Sequence, residues 1–71
     1  PPLEEIACRA LRERVCSEKP RCADSRACRT ARGLFDMERA ALAQGADAEL
    51  EVIRPRCLQI LVRQLVFPPC R

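Results

Sequence analysis

Histidine, tryptophan and tyrosine are absent from this 71-residue sequence. Histidine is the usual general acid–base residue at neutral pH, so its absence removes the most common catalytic side chain. The chain has two glycines, too few for a glycine-rich phosphate-binding loop. Its hydroxyl side chains are limited to Ser17, Ser25 and Thr30. We therefore expect a protein that is not an enzyme and that carries no cofactor.

Aromatic residues make up 3% of the chain, as Phe35 and Phe67, and the formal net charge is +3. Nucleic-acid-binding surfaces usually combine a strong basic patch with aromatic stacking, so a nucleic-acid partner is not expected. No apolar run approaches the ~20 residues that a transmembrane helix needs. We therefore expect no transmembrane span, and this pattern leaves open contact with a membrane surface.

The six cysteines are widely spaced, and no CxxC pair occurs. Structural zinc sites bring together ligands that are about two to four residues apart, often with histidine, so this spacing favours disulfides over zinc. An even number of cysteines in a short chain is typical of disulfide-stabilised domains in oxidising compartments. We therefore expect a secreted or periplasmic protein without a metal site.

The apolar residues recur at helical spacing, and no segment alternates with the period of a β-strand. The pattern predicts helices over residues 3–16, 24–44 and about 47–66. Three antiparallel helices with short connections pack as an up-down-up bundle. We therefore expect a single all-α domain over residues 1–71, built as a small, disulfide-stapled three-helix bundle.

Local signals mark the ends of these helices and one irregularity. Asp24 or Ser25 is expected to cap the second helix, and Gly45 to end it. Pro55 falls inside the third helix, where proline removes a backbone hydrogen bond and crowds the preceding turn. The helix then either kinks or divides into two shorter helices. The common apolar phase on both sides of Pro55 favours the kink.

Bundle geometry restricts which cysteines can pair. Cys8 and Cys57 lie at similar heights in the middle of the bundle, on the first and third helices. The other four cysteines fall near one end of the bundle. The predicted pairs are Cys8–Cys57, Cys16–Cys28 and Cys22–Cys70, and the last two could exchange partners. A bridge that closes a loop as long as 8–57 stabilises the fold by about 4 kcal/mol in the chain-entropy treatment.

Charge is unevenly distributed along the chain. Residues 8–32 carry a net charge of +5 and residues 33–53 a net charge of −4, which predicts one basic and one acidic end. Glu38 lies on the apolar face of the second helix, where a buried carboxylate needs a partner. Antiparallel packing places it level with Arg54 or Arg56, and we predict an ion pair between Glu38 and Arg54. The alternative is a solvated Glu38 at the edge of the bundle.

The third helix has more apolar surface than one core stripe needs. Leu58, Val62 and Val66 recur every fourth residue, beside the stripe that continues the core. One explanation is that this helix is central and contacts both neighbours, or that the kink at Pro55 shifts the apolar phase. The other is that these residues form an exposed stripe that binds a protein partner, a second copy or lipid.

These observations favour a non-catalytic helical interaction module that binds a protein partner or forms a homodimer through the third helix. The alternative is a membrane-active or toxin-like cationic peptide that uses the third helix and the arginines. The basic amphipathic pattern is weaker than that class usually shows, so the interaction module is the preferred expectation.

Overall fold

The computed structural model of the chain describes residues 2–16 and 25–66, and of residues 64–66 only the backbone. These residues form three α-helices: α1 (Leu3–Val15), α2 (Arg26–Gln44) and α3 (Asp47–Val66). The part of the chain that is described contains no β-strand. The predicted all-α, disulfide-stapled three-helix bundle is confirmed.

Both ends of α2 have side-chain or backbone caps that the sequence supplies. The Ser25 hydroxyl accepts a hydrogen bond from the Cys28 amide at 3.1 Å, which satisfies a donor that the first turn leaves unpaired. Gly45 follows the last turn in the left-handed region, with φ of 66°. The Gly45 amide donates to the Leu42 carbonyl, and the Ala46 amide donates to the Ala41 carbonyl. This is the Schellman arrangement, in which glycine avoids the steric penalty of positive φ.

Helix α3 runs through Pro55 as one element of 20 residues. The alternative of two separate helices is therefore wrong for these residues, whereas the kink stays a prediction. Proline has no amide hydrogen to donate to the carbonyl of Glu51, one turn earlier, so α3 keeps its length despite one missing hydrogen bond. Packing of its apolar side on both neighbours is the physical reason, because tertiary contacts contribute most of the stability of such helices.

The helices alternate in direction. Glu4 at the start of α1 lines the same cavity as Asp47 at the start of α3, so these two helices begin at one end of the bundle. A disulfide joins Cys16, just after α1, to Cys28 in the first turn of α2, so α2 begins at the opposite end. This is the up-down-up order that the sequence predicts.

Two of the predicted disulfides are confirmed. Cys8 of α1 and Cys57 of α3 are bonded with their Cα atoms 4.9 Å apart, and Cys16 is bonded to Cys28 with a Cα separation of 4.8 Å. The predicted pair Cys22–Cys70 lies outside the described residues. The first disulfide crosses the middle of the bundle, and the second closes one end of it.

The core is aliphatic and built from small side chains on all three helices. It consists of Ala7, Cys8, Leu11, Val15, Cys28, Ala31, Leu34, Phe35, Ala41, Leu50, Ile53, Cys57 and Leu61. Three large apolar residues outside the core, Leu3, Ile6 and Leu42, are 41–53% exposed. Leu3 and Leu42 lie in the terminal turns of α1 and α2, and Ile6 lies about 155° around α1 from the buried side, so the small bundle leaves all three partly uncovered.

Candidate interaction surfaces

A charged pair joins α2 to α3 in the half of the bundle nearer the turn at Gly45. Glu38 is 5% exposed, and its Oε2 accepts a hydrogen bond from Arg54 Nε at 2.9 Å. The Arg54 side chain is 22% exposed, so its charge is only partly desolvated. The structure therefore places together the two residues predicted as an ion pair, and the solvated Glu38 of the alternative is not found. Its buried position and paired charge make it a structural feature that joins α2 to α3.

Two arginines flank the aromatic ring in the core. The Arg12 guanidinium carbon lies 4.4 Å from the centre of the Phe35 ring, and that of Arg39 lies 5.8 Å from it. Both distances allow an attractive cation–π contact. The sequence pattern does not indicate the Arg12 contact, because Arg12 and Phe35 are on different helices. Arg39 lies four residues after Phe35 on α2, and this spacing is a signal for the second contact that the sequence does contain. They cover the edge of the core between α1 and α2.

The predicted stripe on α3 does not form one continuous exposed surface. Leu58 is half-buried and packs against the core, whereas Val62 is 50% exposed. The side chain of Val66 lies outside the described part of the structure. Successive members of this stripe rotate by about 40° around the helix, since each step of four residues turns through about 400°. The stripe therefore passes from the core edge at Leu58 out to solvent at Val62.

A second apolar surface lies between α2 and α3. A groove of about 470 Å³ separates the two helices, and its lining is apolar apart from Glu49. The lining residues are Met37, Ala40, Ala48, Glu49, Val52 and Ile53. Met37 is 55% exposed and Val52 is 71% exposed, which makes Val52 the most exposed large apolar side chain described. We call this surface the α2–α3 groove.

Sequence reasoning did not identify Met37 and Val52 as candidate binding residues, although one signal for Val52 was available. Val52 lies about 140° from Cys57 around α3, which places it away from the core stripe. An isolated apolar residue on the outer face of one helix is common and carries little meaning by itself. Its significance depends on Met37 and Ala40 of α2 lying beside it, which requires the fold.

The opposite side of α2 carries a groove of different chemistry. This α1–α2 groove has a volume of about 550 Å³ and combines apolar and charged side chains of both signs. Ile6 and Leu42 contribute exposed apolar surface there, and Arg9 and Arg39 contribute charge. Charged rims of this kind are usually well solvated, so the α2–α3 groove is the better candidate for a surface that gains by being covered.

A metal-binding cluster and a membrane-spanning helix are both absent from the part of the chain that is described. Residues 2–16 and 25–66 contain no group of three or more side chains placed to hold a metal ion. No described helix has the length and apolar character required to cross a membrane. The two disulfides fit an oxidising compartment, where such bonds form and persist.

Comparisons of the chain with protein-family models, with curated proteins and with solved structures found no match. No activity, ligand or partner therefore passes to this chain by similarity.

Proposed function

We propose that this chain is a non-catalytic helical interaction module that binds a protein through α3 and works as a secreted or periplasmic protein. The observation that carries the proposal is the α2–α3 groove, where Met37 and Val52 are 55% and 71% exposed. A partner that covers apolar surface of this kind stabilises the complex by roughly 25 cal/mol for each Å² removed from water. Val62 is 50% exposed and lies further along α3, so it adds a second exposed apolar side chain to this helix.

The rigidity of the scaffold supports this proposal. The disulfide between Cys8 and Cys57 fixes α3 to α1, and the ion pair of Glu38 with Arg54 fixes it to α2. A surface held in place before binding loses little conformational freedom when a partner arrives, and this raises affinity for a given area. The module is therefore suited to present α3 as a fixed surface.

Site-specific photo-crosslinking tests the proposal. A benzophenone amino acid in place of Val52 is expected to give a discrete protein adduct when the disulfide-bonded chain is made in cells that secrete it. The same amino acid in place of Glu13, an exposed residue of α1, is the control and should give no such adduct. Equal adducts at both positions, or none at either, would contradict a protein-binding role for this groove.

Vesicle leakage separates this proposal from the membrane-active alternative. The intact chain is expected to leave vesicles of anionic phospholipid sealed, because no described helix is apolar enough to span them and its charges of both signs are exposed. Leakage at low peptide-to-lipid ratio, lost on substitution of Val52 and Val62 by lysine, would instead establish a membrane-active peptide.

A further inference from the structure

Two opposite charges flank Val52 along the outer face of α3. Glu49 lies three residues before Val52 and Arg56 lies four residues after it, so all three share one side of the helix. Each is exposed. The stripe therefore runs acidic, apolar and basic over two turns, next to Met37 of α2.

Neither charge has an ion-pair partner within the part of the chain that is described. On α3 itself, the positions three and four residues from Glu49 and from Arg56 hold no charged side chain, so helical i,i+3 and i,i+4 pairs are excluded. The two charges are about 10.5 Å apart along the helix axis, which is too far for a direct contact with each other. Both are available to an external partner.

A second copy of the same surface complements this arrangement. If two α3 helices cross in opposite directions with a two-fold axis at Val52, Glu49 of one copy and Arg56 of the other differ in height by only about 1.5 Å. The symmetry repeats the pair, so two such ion pairs flank the two Val52 side chains. Parallel helices would instead place Glu49 against Glu49 and Arg56 against Arg56, and like charges repel.

We infer that the α2–α3 groove binds a second copy of this chain in an antiparallel, two-fold symmetric dimer, with Val52 and Met37 at its centre and Glu49 paired with Arg56 of the second copy. The inference rests on the proposed function, because it names the partner of the same surface. The exposed apolar side chains supply the burial, and the charges fix direction and register.

Sedimentation equilibrium of the intact, disulfide-bonded chain tests the dimer. The apolar patch is small, so we expect a dissociation constant in the micromolar range or weaker, and chain concentrations from about 10 μM to about 1 mM cover it. Glu49→Arg or Arg56→Glu alone turns two attractive pairs into two repulsive ones and is expected to weaken the dimer about tenfold or more. Combining both substitutions restores opposite charges and is expected to recover most of the affinity.

The control Glu13→Arg changes net charge as Glu49→Arg does, but on α1 and outside the groove. It is expected to alter the dissociation constant by less than about twofold. Circular dichroism of each variant checks that the helices are retained. A dimer that is insensitive to both single charge reversals, or that the double substitution fails to recover, would overturn the antiparallel arrangement.

The outcomes for the two proposals are distinguishable. A chain that stays monomeric to about 1 mM overturns the dimer, and crosslinking of Val52 to a different protein in the same case leaves the interaction module standing. Crosslinked adducts with twice the mass of the chain support both. A monomer without any Val52 adduct overturns both.

Discussion

The two ends of this bundle are held by different kinds of interaction. At the end where α2 begins, a disulfide joins Cys16 to Cys28. At the end where α2 gives way to α3, the described residues contain no disulfide, and the backbone instead turns at Gly45 under two hydrogen bonds. The ion pair between Glu38 and Arg54 lies in the same half of the bundle as this turn. Covalent constraint acts mainly by restricting the unfolded chain, whereas the turn and the ion pair act in the folded state.

The two ends also differ in charge. The acidic residues Glu4, Asp47 and Glu51 line one cavity at the turn end, where α1 and α3 begin. Glu4 and Asp47 lie in the first turns of α1 and α3, where negative charge interacts favourably with the helix dipole, and Arg54 lines the same cavity, so the clustering of these carboxylates is partly offset. Most basic residues of α1 and α2 lie toward the end that the Cys16–Cys28 disulfide closes, as the charge distribution along the sequence predicts. The bundle is therefore electrically polar along its length.

The largest expected effect comes from removing a disulfide. Cys8→Ala with Cys57→Ala is expected to lower the free energy of unfolding by about 4 kcal/mol, because this bridge closes a loop with a sequence separation of 49 residues. The Cys16–Cys28 bridge closes a loop with a sequence separation of 12 residues, so Cys16→Ala with Cys28→Ala is expected to lower the free energy of unfolding by about 3 kcal/mol. Urea unfolding followed by circular dichroism measures both. Unchanged unfolding midpoints in both variants would show that the disulfides do not stabilise the bundle.

A smaller loss is expected from breaking the ion pair near the turn end. Arg54→Ala leaves the Glu38 carboxylate buried without a partner and is expected to cost about 2 kcal/mol. Arg63→Ala, an exposed arginine on the same helix, is the matched control and is expected to stay within about 0.5 kcal/mol of the parent chain. Replacing both partners by leucine removes the buried charge and should recover most of the loss. Equal effects of Arg54→Ala and Arg63→Ala in urea unfolding would mean that the pair contributes nothing.

The smallest effects come from the two glycines, and they are expected to have opposite signs. At either glycine an added Cβ would meet no atom within 4 Å, so only the backbone distinguishes them. Gly45→Ala forces alanine into positive φ and is expected to destabilise the turn end by about 1 kcal/mol. Gly33→Ala replaces glycine at an exposed position inside α2 and is expected to stabilise the fold by up to about 1 kcal/mol. Thermal melts of the two variants measure the difference, and shifts of the same sign would refute this account.

Much of the fold could be predicted because helical period and helix length are local properties. The constant rise per residue of an α-helix predicts that Cys8 lies level with Cys57 and that Glu38 lies level with Arg54 or Arg56. The helix ends were off by no more than two residues, since Ser25 and Gly45 carry recognisable cap signals.

The candidate binding surface could not be predicted in the same way. A helical wheel shows which side of one helix is apolar, but it does not show which flank a neighbouring helix covers. Leu58 and Val62 belong to one stripe in the sequence, yet packing buries the first and exposes the second. Met37 and Val52 become neighbours across the α2–α3 groove only after α2 and α3 are packed together.

The nesting of the two disulfides has a consequence for proteolysis. The bridge from Cys16 to Cys28 lies wholly inside the loop closed by Cys8 and Cys57. A single cut at any peptide bond between residues 8 and 57 therefore releases no fragment, because the two pieces stay bonded through the outer bridge. Cleavage of the backbone at the Gly45 turn would leave a nicked molecule, and the Cys8–Cys57 bridge would still connect α3 covalently to α1 and α2.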